Sequence, residues 1–253
     1  MNPGVVFYGW QSAPTLESHL ERLRALVPNA RALVVVDDAP SADLLQPLLR
    51  KEDRLVRNRG ALGCGARQQA GYRVALKLGL DPIVTLPKGL PPELAQRLLA
   101  ALRTVPVAIG VEAGPRGLAA VGASALGWAQ RRIAGLDLTG PPSGCRGVTA
   151  EALGLVGWAE LSPGSVFDLE LALAFAERGL TIQEVPVPAQ RVVGIPLATR
   201  AAQAAAKAGF ERLRGRLAFP GPAPPPRGEV PSVQRGRSLP VAKDGSSEGE
   251  NGT

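Results

Sequence analysis

The sequence predicts an α/β domain, a mainly parallel sheet with helices on both faces, followed by a disordered tail. Three observations carry this. Short β-branched runs bounded by turn formers alternate with helical stretches over about the first 110 residues. Aromatic residues are only 4% of the chain and the other apolar residues are mostly Ala, Leu and Val, which suits helices on a parallel sheet better than an all-β sandwich. From Phe219 onward the chain turns to Pro, Gly, Ser, Glu and Lys, with Pro220, Pro222, Pro224, Pro225 and Pro226 in close succession. That composition cannot bury enough apolar surface to fold, so the domain is expected over 1–218 and a disordered tail over 219–253.

In order, Val5–Tyr8 reads as a first strand, and Ser12 as the N-cap of a helix with Pro14 in its first turn and Leu16, Leu20, Leu23 and Val27 on one stripe. Ala32–Val36 is a continuous apolar run, expected to be covered on both faces. A short helix carrying Leu44, Leu45, Leu48 and Leu49 follows, then a strand around Leu55–Arg57, a Gly-rich turn, and a helix with Ala66, Ala70, Val74 and Leu78. Ile83–Leu86 is a fourth strand, Pro91 and Pro92 open a helix with Leu94, Leu98 and Leu102, and Val105–Val111 is a fifth strand. Five strands alternating with helices describe a doubly wound sheet.

The second half is less regular. A helix is expected over Leu118–Ile133, a rigid polar loop over Gly140–Gly147, helices over Thr149–Val156 and Val166–Arg178, and a strand over Thr181–Val187. Leu197–Leu217 reads as an Ala-rich basic helix with Arg200, Lys207, Arg212, Arg214 and Arg216; it can pack on its own domain or lie on an anionic membrane surface.

Composition excludes several functions. No apolar run reaches the roughly 20 residues of a membrane span, and the N-terminus lacks a basic leader, so a cytoplasmic protein, at most peripheral at a membrane, is expected. Cys64 and Cys145 are too few for a disulfide framework or a structural zinc site. The net charge is +7, but the basic residues are scattered and Trp10, Trp128 and Trp158 lie far apart, unlike a nucleic-acid-binding stripe. An anionic small substrate accounts for the sign equally well. His19, the single histidine, borders an apolar stripe, which argues against a Ser-His-Asp hydrolase. Gly60, Gly63 and Gly65 have the spacing Gly-x-x-Gly-x-Gly, which points to a tight or phosphate-cradling turn rather than a dinucleotide fingerprint.

The candidate site begins where the second strand stops at Asp37 and Asp38. Polar side chains at the carboxyl end of such a strand face the ligand crevice of an open α/β sheet. Two carboxylates there can select the N–H and hydroxyl donors of a nucleoside, or simply cap the helix that follows.

Several landmarks occur in a particular order: Val34–Asp43 with its paired aspartates; Arg57–Gly71, an Arg-Asn segment, Gly-rich turn and helix; Pro91-Pro92-Glu93; Asp137, then Ser143-Gly144-Cys145-Arg146; and Phe167–Glu170, Glu184-Val185-Pro186, Arg191 and Gly194. The series resembles glycosyltransferase family 2, in its dolichol-phosphate mannose synthase-like branch, over roughly residues 4 to 200. The resemblance implies a GT-A-like domain taking a nucleotide-sugar donor and a lipid-phosphate or other acceptor. It assigns Asp37, Asp38, Arg59, Gly63, Arg132, Arg146 and Arg191 to ligand binding, and Glu170 and Asp137 as acceptor-side bases. A lipid phosphate needs no base, and Arg132 and Arg191 would then hold phosphates.

The chain departs from the family in ways that bear on chemistry. Where the family has the metal-binding Asp-x-Asp, this chain has Pro87, Lys88 and Gly89; hard cations need oxygen ligands, so no divalent-cation cofactor is expected. Gln11 and Ser12 replace Asn-Glu, Gly110-Val111-Glu112 lacks an Arg, Pro196 and Leu197 replace Ser-Lys, and the stretch between Arg132 and Asp137 is about a dozen residues short. Lys88 can stand in for the lost cation in metal-independent transfer, or be a surface loop residue of a chain that no longer catalyses. The sequence therefore supports either a glycosyltransferase or a non-catalytic nucleotide- or partner-binding relative, and gives no oligomeric state.

Overall fold

The computed structural model describes residues 1–10, 12–58, 63–112, 138–139, 142–188 and 233–235. Strands β1 (Gly4–Tyr8), β2 (Arg31–Val36), β3 (Arg54–Arg57) and β4 (Ile83–Pro87) are joined by helices α1 (Ala13–Leu26), α2 (Ala39–Leu45) and α3 (Cys64–Lys77). After α4 (Glu93–Ala101) come β5 (Val107–Glu112), β6 (Pro142–Val148), α5 (Ala150–Gly154), α6 (Phe167–Glu177) and β7 (Ile182–Val187). Within the stretch expected as a tail, Val233–Arg235 forms a short β8 parallel to β7; the rest of the tail, and the helices expected over Leu118–Ile133 and Leu197–Leu217, lie outside the described residues.

The strands form one sheet in the order β3-β2-β1-β4-β6-β5-β7-β8. Neighbours are parallel except around β6, which runs antiparallel to both β4 and β5. Alternation along each strand feeds two cores. Val5, Phe7, Val34 and Leu86 pack with α1, α2 and α4 on one face, and Val6, Tyr8, Leu33 and Val35 pack with α3 and α6 on the other. Both faces being covered, the central strand β1 is apolar and buried from end to end and β2 is so beyond Arg31, whereas the edge strand β3 exposes Arg54 and Arg57.

Local capping follows the sequence in part. Asp38 caps α2, its Oδ1 accepting from the Ser41 N–H at 2.7 Å, and Thr149 caps α5 through the Ala152 N–H at 3.1 Å. Ser12 occupies the N-cap of α1, yet its side chain makes no capping hydrogen bond. A buried carboxylate, Asp53, ties the loop before β3 to the sheet by accepting from the Ala32 N–H (2.9 Å), the Arg50 N–H (3.0 Å) and Arg24 Nη2 (2.8 Å).

Of the segment expected as a polar loop over Gly140–Gly147, the described residues 142–147 instead belong to strand β6, which is buried from Gly144 onward. Its glycines are there for close packing. A Cβ on Gly147 would come within 2.7 Å of Leu102 Cδ1, and one on Gly144, where φ is +75°, within 2.4 Å of the Tyr8 hydroxyl. Composition alone reads Gly and Pro as turn formers; here the glycines make room for a helix and a tyrosine.

The same close approach holds α3 on the sheet, where a Cβ on Gly71 would lie 2.3 Å from Val6 Cγ1. Gly71→Ala should lower the unfolding free energy by about 1–3 kcal/mol in urea titration, through overpacking. Adding Val6→Ala should recover part of that loss; no recovery would place the strain elsewhere.

Candidate functional site

β1, β2 and β4 are parallel, and the chain reverses its direction of travel across the sheet between β1 and β4. Their carboxyl ends therefore border the place where doubly wound folds bind ligands. The Lys88 N–H extends the ladder by donating to the Tyr8 carbonyl at 3.0 Å, which brings the turn after the buried Pro87, with Lys88 and Gly89 exposed, beside Gly9. A crevice of about 230 Å³ opens next to it, lined by Gly9, Trp10, Asp37, Asp38, Ser41 and Arg67.

The two carboxylates have different roles. Asp37 accepts from Asn58 Nδ2 at 2.9 Å on one oxygen and from Arg67 Nε at 2.6 Å on the other, which Arg67 Nη2 approaches to 2.5 Å in the same ion pair. Burial by itself would raise the Asp37 pKa, but the hydrogen bonds from Arg67 and Asn58 outweigh it and hold the group below its ordinary 3.8. Asp38 is exposed and caps α2. Trp10 closes one wall, its ring edge-on to Phe7 and to His19 with centroids 6.3 and 4.6 Å away.

Arg67 is not among the site residues expected from sequence. One signal was present: a cation in the first turn of a helix faces the positive end of the macrodipole, and is favourable there only when a carboxylate holds it. Asp37 is that carboxylate.

A second polar cluster lies under the crevice, between the sheet and α6. Arg146, 1% exposed, pairs with Asp168 through Nη2, and Gln68 Nε2 donates to the same Asp168 oxygen at 2.9 Å. The Arg146 guanidinium carbon stands 5.7 Å from the centre of the Phe167 ring. Beside it the Gly144 carbonyl accepts from the Tyr8 hydroxyl at 3.1 Å and from Thr85 Oγ1 at 2.9 Å. Burial pushes the Tyr8 hydroxyl and the Cys64 thiol up, and the Cys145 thiol to about 12, so all three stay protonated at neutral pH. Asp168 escaped sequence analysis because an acid in the first turn of a helix is ordinary helix chemistry.

The other expected site residues are dispersed. Glu170 Oε2 accepts from the Ser162 N–H at 2.7 Å, two residues from the Asp168 cluster. Gly63 meets a strap of chain at 162–164, where its Cβ would fall 2.4 Å from the Pro163 carbonyl oxygen. That same oxygen accepts the Ala66 N–H at 2.8 Å, and the Gly164 carbonyl accepts from Cys64 Sγ at 3.3 Å. The first turn of α3 is thus engaged by carbonyl oxygens. Glu184, buried in β7, accepts from the N–H and the hydroxyl of Thr139, both at 2.5 Å. Arg59, Arg132, Asp137 and Arg191 lie outside the described residues.

The turn after β4 offers no side-chain oxygen, and among the described residues no group of three or more His, Cys, Asp or Glu could hold a metal ion. These residues do not fit a divalent cation. No helix among the described residues is long and apolar enough to cross a membrane.

The architecture matches that of glucosyl-3-phosphoglycerate synthase from Mycobacterium tuberculosis. A complex of that protein with Mg²⁺ and UDP superposes with a TM-score of 0.58 at 18% identity, covering 87% of this chain and 80% of the other. A second complex, with UDP, gives 0.58 at 14% identity over 83% and 80%. The fold is GT-A-like. No protein-family model and no curated protein sequence matches the chain.

Two outcomes are expected from substitution. Asp37→Asn should lower stability by about 1–2 kcal/mol at neutral pH, by weakening two charge-assisted hydrogen bonds. Because the folded pKa is depressed, this stabilisation exists above the ordinary 3.8 and is lost as pH falls through the folded value, so the variant and parent should converge in acid. Urea titrations at a series of pH values measure this, and a difference that persists below the folded pKa would overturn the assignment. Asp168→Ala should destabilise by about 3–5 kcal/mol, since it leaves the buried Arg146 charge without its carboxylate. Calorimetry should show Arg146→Met/Asp168→Leu to be more stable than that single variant.

Proposed function

We propose that the chain is a nucleotide-sugar-binding protein of glycosyltransferase type that works without a divalent cation. It belongs with the dolichol-phosphate mannose synthase-like branch of family 2 and transfers a sugar to a lipid phosphate or another hydroxyl-bearing acceptor at a membrane surface. The observation that carries this proposal is the polar crevice at the carboxyl ends of β1 and β2, lined by Asp37, Asp38 and Arg67 and flanked by Lys88. The matched synthase is described in complex with UDP, which supports a nucleotide as the ligand of this crevice.

In this proposal Asp38 and Ser41 meet the nucleoside, and the Lys88 ammonium meets the phosphate and offsets charge on the departing nucleotide. The acceptor oxygen bonds to the sugar's anomeric carbon as the bond from that carbon to phosphate oxygen breaks, and the nucleotide leaves with the electron pair. A phosphate acceptor is already anionic; a neutral hydroxyl needs a base, for which Asp137 and Glu170 are the candidates. Arg59, Arg132 and Arg191 are assigned to anionic groups of donor and acceptor.

A second reading, a non-catalytic relative that keeps the crevice for binding, is favoured by one observation: both Asp37 oxygens and Glu170 Oε2 already accept hydrogen bonds within the protein.

A thermal-shift screen against nucleotides and nucleotide sugars of each base, with EDTA and with Mn²⁺, tests the proposal. At a hundredfold excess over the dissociation constant a ligand adds about 2.7 kcal/mol. Stabilisation that survives EDTA is the expected result; a requirement for Mn²⁺, or no shift with any nucleotide, would overturn it. Lys88→Ala should abolish sugar transfer by an active enzyme, whereas the binding module transfers none before or after the change.

A further inference from the structure

His19 is the chain's single histidine, and no step of the proposed transfer uses it. Histidine is the side chain whose charge ordinarily changes between pH 5 and 8. Here the fold joins it to the crevice. It lies half-buried on α1, with its Nδ1 2.8 Å from the Thr15 carbonyl oxygen. A carbonyl only accepts, so Nδ1 carries a proton in both charge states, and Nε2 is the atom that gains or loses one.

The His19 ring meets the Trp10 ring edge-on with centroids 4.6 Å apart, and Trp10 in turn lines the crevice. Trp10 is 3% exposed, and its Nε1 is buried without a hydrogen-bond partner among the described residues. Contacts with the rings of Phe7 and His19, rather than a hydrogen bond, therefore hold this wall in place. One indole thus stands between the imidazole and the crevice.

The charged groups around His19 are carboxylates and guanidiniums, which do not change charge between pH 5 and 8. On α1 itself Arg22 follows one turn later, and its Nε is 2.7 Å from Glu93 of α4. The hydrogen bond from Arg22 first, and more weakly the charge of His19, hold the Glu93 carboxyl below its ordinary 4.5. α4 also carries Arg97, and α2, which packs on α1 as well, carries Asp43, exposed and 3.9 Å from Arg57, and is capped by Asp38 on the crevice wall. Against this constant background a proton on His19 adds one positive charge directly behind Trp10.

We infer that His19 is a positioning residue of the crevice. A proton taken from solvent onto Nε2 strengthens its contact with the indole and places a positive charge behind that wall, so an anionic ligand binds more tightly as the pH falls. The inference rests on the crevice being a nucleotide-sugar site.

Isothermal titration of the full chain in EDTA tests this with UDP-glucose, GDP-mannose, ADP-glucose, CDP-glucose and dTDP-glucose, whose esterified diphosphates keep one charge from pH 5 to 8. For the ligand that binds, the dissociation constant should be about threefold lower at about pH 5.5 than at about pH 8. Titrations near pH 6.5 in buffers of different ionisation enthalpy should show a fraction of a proton taken up on binding, the reciprocal of that dependence. His19→Gln, which keeps a polar side chain at this half-buried position, should remove both effects. Equal affinity at the two pH values, binding without proton uptake, or a pH dependence that survives His19→Gln, as a mere packing role would leave it, would overturn the inference while leaving a nucleotide site. No binding of any of these ligands at either pH would overturn the underlying proposal, and this inference with it.

Discussion

Much of the carboxyl end of the sheet follows from how closely α3 approaches its neighbours. Gly71 lets the helix sit on Val6 of β1, Gly65 lets it meet Phe167 of α6, and Gly63 admits the Pro163 carbonyl. A methyl group at any of these positions would have to displace backbone or core atoms, and close-packed interiors give way only at a cost of about 1–3 kcal/mol. Because α3 lies at this depth, Arg67 in its first turn reaches Asp37 at the end of β2, and Gln68 reaches Asp168 at the start of α6. One packing constraint thus shapes both polar clusters.

The two ion pairs differ in kind. Arg67 and Asp37 are partly solvated and sit on the crevice wall, where their geometry defines which edges a ligand can meet. Arg146 and Asp168 lie under the sheet face, with Arg146 fully buried, its ring contact to Phe167 on one side, and Nε and Nη1 without acceptors among the described residues. A buried pair of this sort stabilises little compared with an apolar equivalent, yet removing one partner is severe. It joins β6 to α6, and through Gln68 to α3. Arg146 therefore touches the crevice only through other residues in the described structure, although the family resemblance made it a ligand-binding residue.

The site was partly legible. The apolar run ending at Asp37-Asp38 is strand β2, and both aspartates line a crevice at its end; a strand buried on both faces has a recognisable composition and its end has a defined position in a doubly wound sheet. The pairing of Asp37 with Arg67 was not legible: the residues are 30 apart in sequence and meet only because β2, β3 and α3 pack together. Asp168 was hidden for a similar reason: its partners Gln68 and Arg146 lie 100 and 22 residues away in sequence.

Sequence by itself determined the alternation of strands and helices, the two-sided burial of the sheet and a turn after β4, Pro87-Lys88-Gly89, without side-chain oxygens, because each depends on local pattern or side-chain chemistry. Tertiary structure alone decided that Pro142–Val148 is a buried strand running against its neighbours, that the strap at 162–164 fills the start of α3, and which carboxylate each arginine meets. Those outcomes depend on contacts between residues distant along the chain, where the space left by a missing side chain matters more than its intrinsic preference for a turn.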